Sequence, residues 1–305
     1  MGLFVIDIGG TNLRYSELVN SKKPEINKIK IESKKNFDEI LISLIKTCKK
    51  PIENLVISAA GPKLENLIRM TNQNLIIDPQ SLKKKLGLKN CFLLNDLEAA
   101  GYYLKKIIPA NKKIIKKGKK INSNKVLIIP GTGLGLALIL GNEKVISSEI
   151  GNSKILVSDL KSTNDIFESS IFSKIEDFIS GPGMSHIYES IYKTYISSTE
   201  IIKNALHKDS KALYVIEIFL EIFAKLLAEI ALIYLPGNGI FLSGSLMRSL
   251  EIFIDKKKFT ENFLKQVNYP HKQVLESIEI NLICEENLPI HGSIEYFNST
   301  RKDLN

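Results

Sequence analysis

Apolar positions along this 305-residue chain fall into two successive blocks of one design. The first opens with a nearly unbroken apolar run from Leu3 to Ile8, interrupted only by Asp7. Gly9-Gly10-Thr11-Asn12 follows, then alternation from Leu13 to Val19. A continuous apolar run bounded by a small polar turn predicts a buried strand, and alternation predicts its half-buried partner, so the segment reads as a hairpin. A third alternating stretch, Ile26 to Ile31, extends it into an antiparallel meander. Helical spacing follows from Phe37 to Cys48, then a strand at Leu55 to Ser58, a polar segment and a short helix at Gln80 to Leu86. A strand at Cys91 to Leu94 and a helix from Leu97 to about Ile107 close the block.

The second block repeats the opening: strand Lys125 to Ile129, turn Pro130-Gly131-Thr132-Gly133-Leu134-Gly135, return strand Leu136 to Leu140 and third strand Lys144 to Ser148. Helices are predicted around Ser169 to Ile179, at Met184 to Tyr195 and at Ser210 to Tyr234, followed by a strand at Gly239 to Leu242. Helices near Leu246 to Phe253 and Phe259 to Val267, a strand at Ile278 to Ile283 and a helix from about Pro289 to Phe297 complete the chain. The repetition predicts a duplicated α/β architecture with a cleft between lobes. Between the blocks, the lysine-dense stretch Lys105 to Lys125 reads as a solvated connector.

With 44% hydrophobic and 25% charged residues, the chain can bury sizeable cores, which excludes disordered, collagen-like and coiled-coil classes. The net charge of +9 is almost entirely lysine, because Arg occurs only at 14, 69, 248 and 301. Lysine lacks the bidentate fork of a specific nucleic-acid reader, so no nucleic-acid partner is expected, although the excess favours an anionic substrate such as a nucleotide phosphate. Cys48, Cys91 and Cys284 lack metal-ligand spacing and fit a reducing compartment. The longest helical candidate, Ser210 to Tyr234, is interrupted by Glu217, Glu221, Lys225 and Glu229. A membrane span needs ~20 apolar residues. No leader pattern opens the chain, so a cytoplasmic protein with no membrane partner is expected.

The two glycine turns carry the chemistry. Glycines let backbone N–H groups approach an anion, and Thr11, Asn12 and Thr132 add side-chain donors, so each turn is a candidate phosphate cradle or simply a strand connection. No G-x-x-x-x-G-K-[ST] occurs, and Leu136 stands where a Rossmann fingerprint ends in glycine, which disfavours P-loop and dinucleotide enzymes. Asp7 at the end of an apolar strand is costly unless it meets a donor network or the water shell of Mg²⁺. Asn95 with Glu98 resembles a capping box, which explains one polar residue and leaves Asp96 able to accept a proton from a substrate hydroxyl.

Taken in order, Asp7-Ile8-Gly9-Gly10-Thr11-Asn12-Leu13-Arg14, Met70-Thr71-Asn72, Leu94-Asn95-Asp96-Leu97-Glu98-Ala99, Gly131-Thr132-Gly133-Leu134-Gly135 and Ser180-Gly181-Pro182-Gly183 resemble the ATP-dependent glucokinases of bacterial type. The similarity runs on to Gly239-Ile240-Phe241-Leu242-Ser243-Gly244 and Leu288-Pro289-Ile290-His291-Gly292. It implies a two-lobed, actin-like (ribonuclease H-like) α/β ATPase fold, each lobe a mixed sheet with helices. Residues 1–105 with about 290–305 are expected as a small α/β domain and 106–289 as a large one.

The resemblance also implies the chemistry. Asp96 is expected as general base for the sugar 6-hydroxyl, with Asn72, Asn95, Glu149, Asn152 and Glu176 as sugar ligands. Asp7, Gly9, Gly10, Thr11, Asn12, Gly131, Thr132, Gly133 and Gly244 are expected around ATP, with Asp7 orienting Mg²⁺ through water. The family pattern Glu-Gly-Gly-His reads Glu149-Ile150-Gly151-Asn152 here, so Asn replaces a sugar-binding His. Ser243-Gly244-Ser245 stands where paired glycines are usual, and the cysteine-rich zinc motif of the ROK relatives is absent. Glucose and ATP are the expected ligands, with another hexose, a non-catalytic sugar sensor and a homodimer left open.

Overall fold

A computed structural model describes residues 2–9, 12–18, 24–30, 37–70, 75–141, 144–161, 165–168, 170–265 and 267–303. The chain divides into two compact units, Met1–Ile107 with Asn287–Asn305, and Ile108–Glu286.

In the first unit, β1 (Gly2–Ile8) runs antiparallel to β2 (Asn12–Leu18), and β2 to β3 (Asn27–Lys30). All of β1 is buried because it sits mid-sheet, which is why its sequence is continuous rather than alternating. After α1 (Phe37–Lys46), β4 (Ile52–Ala59) joins β1 in parallel. The polar segment after β4 holds a small sheet of β5 (Lys63–Leu64), β6 (Leu67–Met70) and β7 (Leu75–Ile77). Its hairpin turns at Glu65 and Asn66, whose φ of 48° and 68° are the left-handed pair of a two-residue turn. Helix α2 (Pro79–Leu86), β8 (Asn90–Asn95) and α3 (Asp96–Tyr103) follow, giving the sheet order β3-β2-β1-β4-β8. Helix α3 stops short of the expected Ile107. Its end tightens to i→i+3 bonds at Lys105 and Lys106, and Ile108 is extended before Pro109, which disfavours helix.

The second unit repeats that order with one added edge. Strand β9 (Lys112–Lys116) precedes β10 (Lys125–Pro130), β11 (Leu134–Leu140) and β12 (Lys144–Ser148). Then come α4 (Val157–Lys161), α5 (Gly181–Tyr192), α6 (Ser198–Leu206) and α7 (Ser210–Tyr234). Strand β13 (Ile240–Leu242), α8 (Ser245–Leu250), α9 (Lys256–Leu264), α10 (His271–Ser277) and β14 (Ile280–Ile283) complete the unit. The sheet order is β12-β11-β10-β13-β14-β9.

Two expectations are corrected here. The lysine-rich connector contains β9, an edge strand whose Ile115 is buried in the core. Lys112 and Lys113 pair with Glu279 and Glu251 at 2.8 and 2.7 Å, a charged edge that discourages further strand pairing. The predicted helix at Ser169 to Ile179 is absent among its described residues, where a 3-10 turn spans Ile175–Asp177. The Asp177 carboxylate accepts the amides of Ser173 and Lys174 at 2.9 Å each, a local side-chain alternative to the helical ladder. Phe167, Phe172 and Phe178 pack together in the core, Phe167 edge to face on Phe172 and both tilted against Phe178.

Helix α11 (Leu288–Asp303) returns to the first unit and packs on α3. The contact is close because Gly292 lies against the Ala99 carbonyl. Tyr102 and Tyr296 meet edge to face at 5.0 Å. This packing fixes the helix whose first residue is Asp96.

Candidate active site

The register of the first sheet explains what Asp7 meets. Arg14 faces it across β2 and Ser58 across β4. Ser58 Oγ donates to Asp7 Oδ1 at 3.0 Å and Arg14 Nη1 to Oδ2 at 3.2 Å. Asp7 is only 4% exposed, and burial raises its pKa above the usual carboxylate value despite the Ser58 bond and the Arg14 charge. Among the described residues each oxygen accepts one side-chain hydrogen bond, and a carboxylate oxygen can accept a second. Magnesium sites commonly use one or two carboxylates plus phosphate oxygens and water, so this donor set fits Mg²⁺ as an outer partner. Among the described residues no group of three or more His, Cys, Asp or Glu is placed to hold a metal by itself.

The N-terminus of α3 brings together the residues read as a capping box. Asn95 Oδ1 accepts the amides of Leu97 and Glu98 at 2.9 and 3.3 Å, and Glu98 Oε2 accepts the Asn95 amide at 3.3 Å. Asn95 Nδ2 donates one of the hydrogens of this buried amide to the Gly61 carbonyl at 2.9 Å. Asp96 is half-buried in the first turn, with Oδ1 3.0 Å from the Leu97 amide. The positive end of the helix dipole favours its carboxylate.

In the second unit the glycine turn and the acidic residues form one cluster. The Gly131 amide closes the turn onto the Gly133 carbonyl at 2.8 Å, and the Gly181 amide at the start of α5 donates to the Gly131 carbonyl at 2.7 Å. Gly9 does the same in the first unit, donating to the Asn12 carbonyl at 2.9 Å. The first glycine of each turn therefore uses its N–H internally. Gly244 stands beside this turn with φ 100°, where a Cβ would lie 3.1 Å from the Pro130 carbonyl oxygen, so glycine is required.

Glu176 reaches into the same turn. Its Oε2 accepts the Leu134 amide at 3.3 Å, in space that a Cβ at Gly133 or Gly151 would enter at 2.5 or 2.9 Å. The exposed pair Glu149 and Asn152 lies across a 3-10 turn, Ile150–Asn152, with Asn152 Nδ2 3.5 Å from Glu149 Oε2. Lys174 joins the two halves, pairing with Glu176 Oε1 and donating to Asn152 Oδ1 at 3.1 Å. The Glu176 bond raises the pKa of Lys174, assisted by the charges of Glu176 and Asp177 against partial desolvation.

The structure therefore gathers Asp7 in one strand register, Asn95 with Asp96 at one helix start, and Gly131, Thr132, Gly133, Glu149, Asn152, Glu176 and Gly244 around one turn. Gly10, Thr11 and Asn72 lie outside the described residues. Lys174 escaped the sequence reading because a helix at that point would not bring residues i and i+2 to one face. The signal that finds it is Asp177, whose short side chain caps a turn rather than a helix.

Comparison with solved structures defines the class. A glucokinase from an Antarctic psychrotroph shares the fold with a TM-score of 0.81 at 20% identity, over 98% of this chain and 99% of its own. The glucokinase of Balamuthia mandrillaris, solved in complex with glucose, does so with a TM-score of 0.74 at 18% identity, over 97% and 92%. The fold is the two-lobed, actin-like α/β fold of sugar kinases.

The family model described as Glucokinase matches residues 4–300, so the chain belongs to the glucokinase family, sugar kinases whose phosphoryl donor is ATP. The Agrobacterium fabrum glucokinase is 23% identical over 308 residues, spanning 95% of this chain and 90% of its own.

Proposed function

We propose that this protein transfers the γ-phosphoryl group of ATP to the 6-hydroxyl of glucose, giving glucose 6-phosphate and ADP. The observation that carries the reading is the cluster of Glu149, Asn152, Lys174 and Glu176 on the Gly131–Gly133 turn. Carboxylates and amides each engage neighbouring hydroxyls of a pyranose, and the adjoining turn offers backbone amides to a phosphate. Asp96 accepts the 6-hydroxyl proton as that oxygen attacks phosphorus, and Asn95 donates its remaining amide hydrogen to the sugar. General-base assistance of this kind is worth roughly 10²- to 10⁴-fold. Positioning of the two oxygens and neutralisation of the transferring group supply the larger share.

In this reading Asp7 holds Mg²⁺ through its water shell, and the ion would supply charge neutralisation on the phosphates. Gly9, Gly10, Thr11, Asn12, Gly131, Thr132, Gly133 and Gly244 are assigned to ATP and Asn72 to the sugar. The enzyme works in the cytoplasm, where its nucleotide is abundant. Pairing of Lys112 and Lys113 with Glu279 and Glu251 supports a structural rather than a nucleic-acid role for the lysine-rich stretch. The test is ADP release from Mg-ATP with glucose, mannose, glucosamine or no sugar. Glucose-dependent turnover is expected, and a clear preference for another sugar would overturn the glucose assignment.

A further inference from the structure

Resting on the kinase reading, the geometry points to Lys174 as a positioning and specificity-determining residue that fixes the Asn152 amide and tunes the sugar site toward neutral hexoses over amino sugars. An ammonium only donates hydrogen bonds and a carboxylate only accepts them. Asn152 lies between the two, with its Oδ1 3.1 Å from Lys174 Nζ and its Nδ2 3.5 Å from Glu149 Oε2. That sandwich permits one orientation of the amide, so its donors and acceptor meet a substrate in a fixed order. The same ammonium pairs with Glu176, whose other oxygen is held by the Leu134 amide. One side chain thus sets the geometry of two sugar ligands.

The charge count gives the selectivity. Glu149, Glu176 and Lys174 together carry a formal −1, and without the lysine the cluster would carry −2. A protonated amino sugar gains from the more acidic cluster, whereas a neutral hexose gains nothing and loses an ordered amide. The Lys174 side chain keeps 35% exposure, so its charge is held in place by the Glu176 pair and the Asn152 bond rather than by burial. Its raised pKa keeps it charged at neutral pH.

The test measures KM and kcat for glucose and for glucosamine near pH 7, with hexose binding and thermal melting followed separately. The proteins are wild type, Lys174→Met, Lys174→Arg, Asn152→Ala and the double variant that combines Lys174→Met with Asn152→Ala. Lys174→Met is expected to raise the glucose KM about tenfold, the scale of one charge-assisted hydrogen bond, with kcat falling less than about threefold. The glucose-to-glucosamine ratio of kcat/KM should fall by about tenfold or more. Lys174→Arg should recover most of the glucose KM. The double variant should be little worse than either single one, the signature of coupled residues. A wild type that turns over glucose beside a Lys174→Met variant with unchanged KM and unchanged sugar ratio would overturn this assignment alone. Loss of melting temperature without either change would do the same. A wild type that neither binds nor phosphorylates any sugar would overturn the kinase reading and this assignment with it.

Discussion

Replacing Gly292 with alanine drives a methyl group into helix α3. A Cβ at this position would lie 1.6 Å from the Ala99 carbonyl oxygen, 2.7 Å from the Ala99 carbonyl carbon and 3.0 Å from the Tyr103 amide nitrogen. Ordinary contact between such atoms begins near ~3.5 Å, so the two helix axes must separate by roughly 2 Å. The obstacle is backbone and cannot turn aside as a side-chain tip would. Overpacking typically costs about 1–3 kcal/mol, and a backbone obstacle belongs at the upper end, about 3 kcal/mol. For a unit of this size that is a fall of about 10 °C in melting temperature. Because α3 begins at Asp96, the displacement also moves the proposed base, and misplacement by ~1 Å can cost ~10²-fold in rate. Calorimetry on wild type and Gly292→Ala, with turnover measured well below both melting points, reads both effects. Gly131→Ala is the stability control, since a Cβ there meets nothing within 4 Å, and it should melt with wild type. A Gly292→Ala protein melting within about 2 °C of wild type would refute the packing argument.

Two further outcomes follow from the buried polar groups. Burial holds the Asp7 pKa above 3.8, so folding takes up a proton between that value and the folded one, and the stability contributed by Asp7 falls as pH rises through this window. Asp7→Asn should abolish that fall and melt at or above wild type at pH 7 while losing roughly 10²-fold in turnover, the scale of one removed electrostatic group. Melting curves across pH check the sign, and a variant less stable than wild type at neutral pH would contradict it. Asn95→Ala removes the acceptor of two helix amides and the bond to Gly61, and should cost about 1–2 kcal/mol in urea denaturation. Asn95→Asp, which still caps, should recover part of that loss. Equal stability of Asn95→Ala and wild type would deny the cap its structural share.

The sequence was most informative where one physical period dominated. The run Leu3 to Ile8, the two glycine turns and the 25-residue helix α7 each announced themselves, as did the Asn95–Glu98 box. Strand β9 is hidden because its two adjacent isoleucines, Ile114 and Ile115, show no strand alternation and stand among lysines whose charges are neutralised by residues far along the chain, Glu251 and Glu279. The small β5-β6-β7 sheet was hidden by shortness, although Asn66 was a usable hint of a left-handed turn. Around Glu176 the apolar spacing mimicked a helix, and only the Asp177 carboxylate on two consecutive amides ruled it out. The same misreading concealed Lys174. From sequence each glycine turn reads as a phosphate cradle or a plain strand connection, and the structure adds that Gly9 and Gly131 use their own amides to close the turn while Gly133 and Gly151 make room for the Glu176 carboxylate. These are long-range facts of register and space that no local pattern carries.

The most direct test of the central claim compares wild type with Asp96→Asn, measuring Mg-ATP turnover with glucose and, separately, glucose binding by calorimetry. Asparagine keeps the size of the side chain at the start of α3 but cannot take the hydroxyl proton. Glucose-dependent turnover that drops by roughly 10²-fold or more in the variant, with glucose affinity within about threefold of wild type, is the expected result. Equal turnover in the two proteins would contradict the assignment of Asp96 as base, and absence of sugar-dependent turnover in wild type would contradict the kinase itself.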